Sequence, residues 1–343
     1  MTDLLRKRKS IEASHLETWF TKSPKRFFFR HEDVLEPLLR HGLQILGLLE
    51  RGKRNALRPV IRPVDLEFED LPTGFCGFSI LHLSDLHIDG MPGLAEQVVA
   101  QIAPLDVDLC VFTGDYRFAT FGPCHNVYPE MRKIVSAVRS RSGILGILGN
   151  HDYAEEIEEL EAMGVRMLMN DAVEIRDRGA SLWVAGVDDD WDYDCADLDR
   201  ALSGVPQDSF KVLLAHSPDV IDRAAAAGIR VYLCGHTHAG QIRLPLIGAV
   251  IAPADCPRRF YQGTWKVGAM EGYTSSGIGC SLLPVRFRCP PEIGLIRLFR
   301  SGHQHGEACR GRLSAASPQA AGGCWPLDGV PVSEVALRHD SET

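Results

Sequence analysis

Short apolar runs that end abruptly at a glycine or a polar residue recur through the middle of the chain. They occupy residues 78–83, 109–113, 144–148, 212–215 and 231–234. Continuous apolar segments of this length are typical of central strands that are buried on both faces. The pattern therefore predicts a series of buried strands.

Segments with helical spacing lie between these runs, at residues 92–103, 129–139, 155–163 and 218–227. Strands that alternate with helices predict an α/β domain (α+β layered), with sheet inside and helices outside. In such domains the active site is expected beyond the carboxyl ends of the strands.

Residues 1–70 form a basic, partly helical N-terminal extension in this interpretation. Apolar residues from Val34 to Leu49 follow a loose helical spacing, after the cluster Lys25-Arg-Phe-Phe-Phe-Arg30. Two interpretations are open. One is a helix attached to the surface of an anionic membrane, with phenylalanines inserted and basic residues at the headgroups. The other is a helical hairpin packed on the main domain or on a second subunit.

The charge is unevenly distributed. The net charge is -8, yet residues 1–63 hold 14 Lys and Arg against 7 Asp and Glu, which leaves -15 for the remainder. Nucleic acid binding needs a basic surface to meet the phosphate backbone. We therefore expect no nucleic acid partner for the acidic main body.

The sequence favours a cytoplasmic protein, which is peripheral on the inner face of the membrane if residues 1–70 bind lipid. It shows no signal peptide and no run of about 20 apolar residues. Ten cysteines without a CxxC pair predict reduced thiols in the core. Residues 301–343 lack periodicity, which predicts a disordered tail.

Aspartate, asparagine and histidine side chains stand at five of the predicted strand ends. These candidate metal ligands are Asp85, His87, Asp115, Asn150, His216, His236 and His238. Asp85 and His87 are two residues apart, so an extended strand end would point both to one side. Gly114 permits close approach of the backbone at Asp115, whose two oxygens can bridge two metals. Seven ligands exceed one tetrahedral site and suit two larger sites that share Asp115 and a hydroxide.

Two divalent metal ions in such a site can activate the hydroxide and hold a phosphoryl oxygen for in-line displacement. The predicted reaction is hydrolysis of a phosphoester or pyrophosphate bond. Sites made of His, Asp and Asn accept Mn, Fe or Zn, and we favour Mn.

The five blocks, in the order Asp-x-His, Gly-Asp, Gly-Asn-His-Asp, His and Gly-His-x-His, resemble the calcineurin-like (binuclear) metallophosphoesterase superfamily over roughly residues 78–298. The resemblance implies a four-layer fold, with a two-sheet β-sandwich flanked by helices in a catalytic domain of residues 71–300. It implies one metal held by Asp85, His87, Asp115 and His238. The other metal would be held by Asp115, Asn150, His216 and His236.

The resemblance also assigns roles to the two residues after Asn150. His151 is expected to approach the phosphate and act as general acid, or to stabilise charge on the leaving group. Asp152 is expected to orient His151 without contacting the metals.

Residues 148–153, 235–241 and 276–292 are similar to a bacterial branch of membrane-associated phosphodiesterases, in which Gly stands at the place of Ala239. This branch suggests a lipid-linked substrate. One alternative is pyrophosphate hydrolysis of UDP-2,3-diacylglucosamine in lipid A biosynthesis, although the best-known enzymes of that activity carry Arg where this chain has His151. A second alternative is a non-catalytic membrane-surface binding protein on a phosphoesterase fold.

Other polar residues are expected to have structural roles or, as weaker candidates, to contact the substrate. The run Asp188-Asp-Asp-Trp-Asp192 is interpreted as a solvated turn after a strand, with lining of the substrate cleft as the alternative. Gln241 and Arg243 are weaker candidates for substrate contacts. Arg286 and Glu292 are expected to hold a C-terminal hairpin.

Overall fold

A computed structural model describes residues 3–18, 32–244, 248–249 and 256–302 of the protein. Its helices are α1 (Asp3–Thr18), α2 (Glu32–Ile45), α3 (Leu49–Ala56), α4 (Leu94–Ile102), α5 (Val127–Ala137), α6 (Glu156–Ala162), α7 (Leu198–Ala201) and α8 (Ile221–Ala226). The strands up to the middle of the chain are β1 (Val60–Phe68), β2 (Phe78–Leu83), β3 (Asp106–Val107), β4 (Leu109–Thr113), β5 (Arg139–Ser140), β6 (Ile144–Ile147), β7 (Val165–Met167) and β8 (Asp171–Asp177). The remaining strands are β9 (Ala180–Gly186), β10 (Lys211–Leu214), β11 (Val231–Cys234), β12 (Arg243–Leu244), β13 (Gly248–Ala249), β14 (Gly263–Val267), β15 (Met270–Thr274) and β16 (Glu292–Arg300).

Two six-stranded sheets form the centre of the molecule. The first has the order β1-β16-β2-β4-β6-β7, and its β2, β4, β6 and β7 run parallel. The second has the order β14-β15-β11-β10-β9-β8, and its β15, β11, β10 and β9 run parallel. Parallel neighbouring strands bring their carboxyl ends to one edge of the sheet. The predicted ligands come after these strand ends and therefore lie at that edge.

The central strands of both sheets, such as β2, β4, β10 and β11, are buried on both faces, as the continuous apolar runs predict. Within β4, Val111 packs in the core shared by the two sheets, whereas Cys110 and Phe112 pack in the core beneath the helices. Within β10, Val212 faces the shared core and Leu213 faces the opposite layer. This alternation confirms a β-sandwich with a helical layer on each side.

The outer layers come from the predicted helical segments. Helices α4 and α5 cover the first sheet through residues such as Val98 and Met131. Helices α7 and α8 cover the second sheet, where Leu198 and Ile221 are buried. The four-layer arrangement predicted from the family resemblance is confirmed.

The N-terminal residues contribute to this body. β1 lies within the range 1–70 and pairs in parallel with β16 at the edge of the first sheet. Helix α3 packs through Leu49 on Leu283 and Val285, and α2 adds Leu39 and Leu43 to that cluster. The helical character of residues 34–45 is thus present. The division at residue 70 and the disorder of residues 301–343 stay predictions, and the cluster Lys25–Arg30 and residues 303–343 lie outside the described residues.

Six buried cysteines in the described part of the chain are free thiols, as expected for reduced core residues. Cys76 is instead disulfide-bonded, so the prediction is wrong at that position. None of the helices within the described ranges combines the length and hydrophobicity that a bilayer span requires.

Candidate metal centre

The backbone turns sharply at five of the seven candidate ligands. Asp85 and His87, which follow β2, have φ angles of 49° and 39°. Asp115, His236 and His238 have φ angles of 58°, 67° and 48°. Left-handed conformations cost non-glycine residues about 1–3 kcal/mol each and concentrate at functional sites. Asp85 and His87 are therefore not in the expected extended strand end, and left-handed turns bring them together instead.

Glycines let the ligand loops touch. Gly114 has a φ of 88°, and a Cβ there would collide with the backbone of Gly149. A Cβ on Gly235 would collide with the Asp85 carboxylate. The close approach expected at Gly114 is confirmed, and it packs the Asp115 loop against the loop that carries Asn150.

Four predicted ligands form one buried cluster. Ligand atoms of Asp85, His87, Asp115 and His238 lie within 4.8 Å of one another. The Nε2 atoms of His87 and His238 are 3.1 Å apart. His238 Nε2 lies 3.6 Å from Asp85 Oδ1. Facing imidazole nitrogens and carboxylate oxygens suit a divalent transition metal, so these residues fit the first predicted site.

The other predicted ligands form a second cluster beside the first. Asn150 Oδ1 lies 3.0 Å from both His216 Nε2 and His236 Nδ1. These two imidazole nitrogens are 3.2 Å apart. An amide oxygen with two imidazoles and one carboxylate is a suitable donor set for a second divalent metal.

Asp115 joins the two clusters. Its Oδ2 atom lies 3.5 Å from His87 Nε2 and 3.4 Å from His216 Nε2. Its Oδ1 atom accepts a hydrogen bond from the His151 amide at 2.9 Å. One carboxylate oxygen is thus placed between the two groups, as a bridging ligand requires.

Backbone carbonyls set the orientation of two ligand imidazoles. His87 Nδ1 lies 2.7 Å from Arg117 O, and His216 Nδ1 lies 2.8 Å from Thr113 O. Because a carbonyl only accepts, Nδ1 carries the proton and Nε2 presents its lone pair to the cluster. His236 is turned the other way, with Nδ1 toward the cluster.

Burial favours neutral imidazoles, which is the state that binds a metal. It lowers the pKa of His87 and of His236 to about 3, and lowers that of His238 well below its usual value. His216 differs: burial opposes its protonation, but the nearby carboxylates of Asp115, Asp85 and Asp189 together raise the His216 pKa. The residues present therefore fit cations.

His151 stands at the edge of the centre. Its Nδ1 atom lies 2.7 Å from Phe118 O, and its Nε2 atom lies 3.9 Å from Asp115 Oδ2. The side chain is partly exposed, whereas the ligand side chains are buried. It is placed beside the clusters and open to a substrate.

Asp152 does not orient the His151 ring, and that expectation was wrong. Its carboxylate accepts hydrogen bonds from the amides of Asp115 at 2.7 Å, Tyr116 at 2.8 Å and Gly149 at 2.7 Å. Asp152 therefore ties together two ligand loops, while the Phe118 carbonyl holds the imidazole. Burial, together with the nearby Asp115 charge, raises the pKa of Asp152.

The acidic run after β9 is part of the site, and its interpretation as a solvated turn was wrong. Asp188 and Asp189 are buried. Asp192 accepts a hydrogen bond from Asn150 Nδ2 at 3.2 Å, and the Trp191 ring lies 5.1 Å from the His236 ring. The signal that could have shown this is Trp191, a large aromatic residue inside a charged run.

The other polar residues have structural partners. Gln241 bonds to the backbone of Ser281 and Leu283 rather than facing the clusters. Buried Arg286 donates to several backbone carbonyls of the segment before β16. The expected C-terminal hairpin was wrong, because β15 and β16 belong to different sheets and this segment crosses between them. Glu292 accepts from Arg62 and Tyr273.

Buried Asp and His ligands at the carboxyl ends of strands from both halves of a helix-flanked β-sandwich define a metal-dependent phosphoesterase. Sequence comparison supports this class. The calcineurin-like phosphoesterase family matches residues 78–240.

Curated relatives extend the similarity. The uncharacterized metallophosphoesterase YkuE of Bacillus subtilis is 31% identical over 239 residues, which are 66% of this chain and 81% of that protein. Phosphodiesterase YaeI of Escherichia coli is 28% identical, over 64% of this chain and 82% of its own length. A transmembrane protein with metallophosphoesterase domain from Bos taurus is 30% identical, over 73% of this chain and 59% of that protein. The chain belongs to the calcineurin-like metallophosphoesterase family.

Proposed function

We propose that the protein hydrolyses phosphoester or pyrophosphate bonds with two divalent metal ions bound side by side. The observation that carries the proposal is the position of Asp115 Oδ2, within 3.5 Å of one imidazole from each cluster. Asp85, His87 and His238 would complete one site, and Asn150, His216 and His236 the other. When bound, the metals supply positive charge for the phosphoryl oxygens and lower the pKa of water. Manganese is the metal we favour, among Mn, Fe and Zn.

His151 is the residue we assign to the leaving group. Its Nδ1 proton is held by the Phe118 carbonyl, so Nε2 points to the side of the ring where the substrate would lie. Protonated at Nε2, the imidazole can donate a proton to the departing oxygen of an in-line displacement. The ring is then a neutral hydrogen-bond partner for the product.

Removal of Asp115 tests the two-metal reaction. We expect Asp115→Ala and His238→Ala to lower Mn²⁺-dependent hydrolysis of a bis-aryl phosphate by at least about 100-fold, because each deletes a ligand rather than a supporting contact. Asp65→Ala, which makes the same substitution at a surface position on β1, is the control and should retain activity. Equal activity of all four proteins would refute the proposal.

We further propose that the substrate is linked to a lipid, and an exposed apolar face on α2 supports this proposal. Leu38, Ile45 and Leu46 are 64%, 72% and 69% exposed. Leu38 and Ile45 are seven residues apart and therefore share a helix face. Exposed Arg51 and Arg54 follow on α3. Apolar side chains next to basic ones suit the surface of an anionic membrane.

Vesicle sedimentation tests this attachment. The full chain should bind vesicles that contain phosphatidylglycerol. The triple variant Leu38→Gln, Ile45→Gln, Leu46→Gln should bind them at least about tenfold more weakly, because each apolar side chain that is buried in the membrane contributes about 1.5–3 kcal/mol. Asp115→Ala should bind like the wild type, and Val60→Gln serves as a control on another exposed apolar residue. Undiminished binding of the triple variant would exclude this face.

Turnover of UDP-2,3-diacylglucosamine, of phospholipids and of the bis-aryl phosphate, compared side by side, distinguishes the substrate classes.

A further inference from the structure

Helix α1 places one arginine inside the catalytic body. Arg8 is fully buried, whereas its neighbours Arg6, Lys7 and Lys9 are exposed. A buried guanidinium loses several kcal/mol of hydration, which only close partners can offset. The partners of Arg8 therefore indicate which parts of the structure this residue stabilises.

Two backbone carbonyls receive one end of the guanidinium. Arg8 Nη2 donates to Gly149 O at 2.9 Å and to Asp152 O at 2.7 Å. These carbonyls lie immediately before Asn150 and immediately after His151. Arg8 thus fixes both ends of the two-residue segment that carries a candidate metal ligand and the proposed acid.

The other donors of Arg8 hold the acidic loop. Nη1 forms a buried ion pair with Asp188, and the guanidinium carbon lies 4.0 Å from the centre of the Tyr193 ring. Nε donates to Glu12 at 3.1 Å, and Glu12 in turn accepts from the Ala154 amide at 2.9 Å. Lys7 adds a hydrogen bond to Asp194 O.

The two loops that Arg8 joins both border the second cluster. One supplies Asn150. The other supplies Asp192, which accepts from the Asn150 amide, and Trp191, which packs near His236. Among the residues that the structure describes, the hydrogen bonds of Arg8 reach Glu12, Asp188 and the backbone of the Asn150 loop, and not Asp85, His87 or His238.

We infer that Arg8 is a positioning residue for the second metal site, and that it acts through the backbone on both sides of Asn150 and His151. The inference rests on the proposed two-metal function. A lysine cannot replace Arg8, because a single ammonium group cannot pair with Asp188 and reach both carbonyls in the same fixed fork.

The inference is tested by titrating the metal-free full chain with Mn²⁺. Calorimetry measures the binding, and electron paramagnetic resonance detects the signal of a coupled Mn pair. The variants are Arg8→Lys and the double variant Arg8→Met, Asp188→Asn, which removes both members of the buried ion pair, while Glu12 keeps the hydrogen bond from the Ala154 amide. Lys9→Met removes a positive charge from an exposed position of the same helix and is the control. Circular dichroism checks that each protein is folded.

The wild type and Lys9→Met should bind two Mn²⁺ ions with a coupled signal. In the two Arg8 variants the Kd of one site should be unchanged, and that of the other should rise about 10–100-fold, with loss of the coupled signal. Unchanged Kd values, or equal weakening of both sites, would overturn the positioning role of Arg8. A wild type that binds fewer than two ions would instead refute the two-metal proposal.

Discussion

His151 and Asp152 are neighbours in the chain but serve different parts of the site. The His151 ring faces outward and bonds to the Phe118 carbonyl. The Asp152 carboxylate faces inward and accepts three backbone amides from two ligand loops. Adjacent residues point apart here, so a chemical role and a structural role can be separated by substitution.

We predict that substitution of His151 lowers catalysis, whereas substitution of Asp152 lowers stability. His151→Gln should lower kcat by about 10²–10⁴-fold, the usual contribution of a general acid, with metal content and Tm unchanged. Asp152→Asn should lower the free energy of unfolding by about 1–3 kcal/mol, because the new amide places a donor against backbone N–H groups that then lose their acceptor. Kinetics, metal analysis and urea unfolding measure these effects.

Tyr153→Phe, at the next position of the same loop, is the control for that comparison, because it removes only a hydroxyl. A His151→Gln protein that retains full kcat would remove this residue from the reaction. An Asp152→Asn protein as stable as the wild type would show that the three amides do not depend on the carboxylate.

At the scale of elements, the apolar runs predict five central strands because these strands are buried on both faces, but the runs do not mark edge strands such as β1, β8 and β14. The run at residues 109–113 coincides with β4, and the run at residues 231–234 coincides with β11. The apolar runs carry no information on which sheet a strand joins, because both sheets read as continuous apolar segments. The sandwich therefore followed from the family resemblance alone.

The candidate ligands were predictable for a related reason. Each stands directly after a strand, and parallel strands bring such positions to one edge. The left-handed turns at Asp85 and His87 were not predictable from their spacing, since these residue types adopt many loop conformations.

Arg8 was missed because its partners are distant in the chain. Asp188 is 180 residues away, and nothing in the pattern of α1 distinguishes Arg8 from the basic residues around it. The acidic loop was misinterpreted for the same reason. A run of charges is usually solvated, and here the opposite charge comes from a helix at the other end of the sequence.

At the scale of the whole molecule, the candidate metal centre lies where the two sheets meet. Strands β2, β4 and β6 of the first sheet lead to Asp85, His87, Asp115 and Asn150, and strands β10 and β11 of the second lead to His216, His236 and His238. The carboxylates come from the first sheet, and three of the four histidines come from the second. Bound metal ions would therefore connect the two halves of the sandwich and stabilise the fold itself.

Metal removal should accordingly lower thermal stability. At a free metal concentration about 100 times Kd, binding to the native state adds about 2.7 kcal/mol to the free energy of unfolding. For a domain of this size we expect Tm to fall by about 5–10 °C when EDTA is added, and to recover with Mn²⁺. Differential scanning calorimetry measures both steps. Asp115→Ala, which lacks the shared ligand, should show a much smaller shift. If EDTA leaves the Tm of the wild type unchanged, the sheets hold together without metal and the centre contributes to chemistry alone.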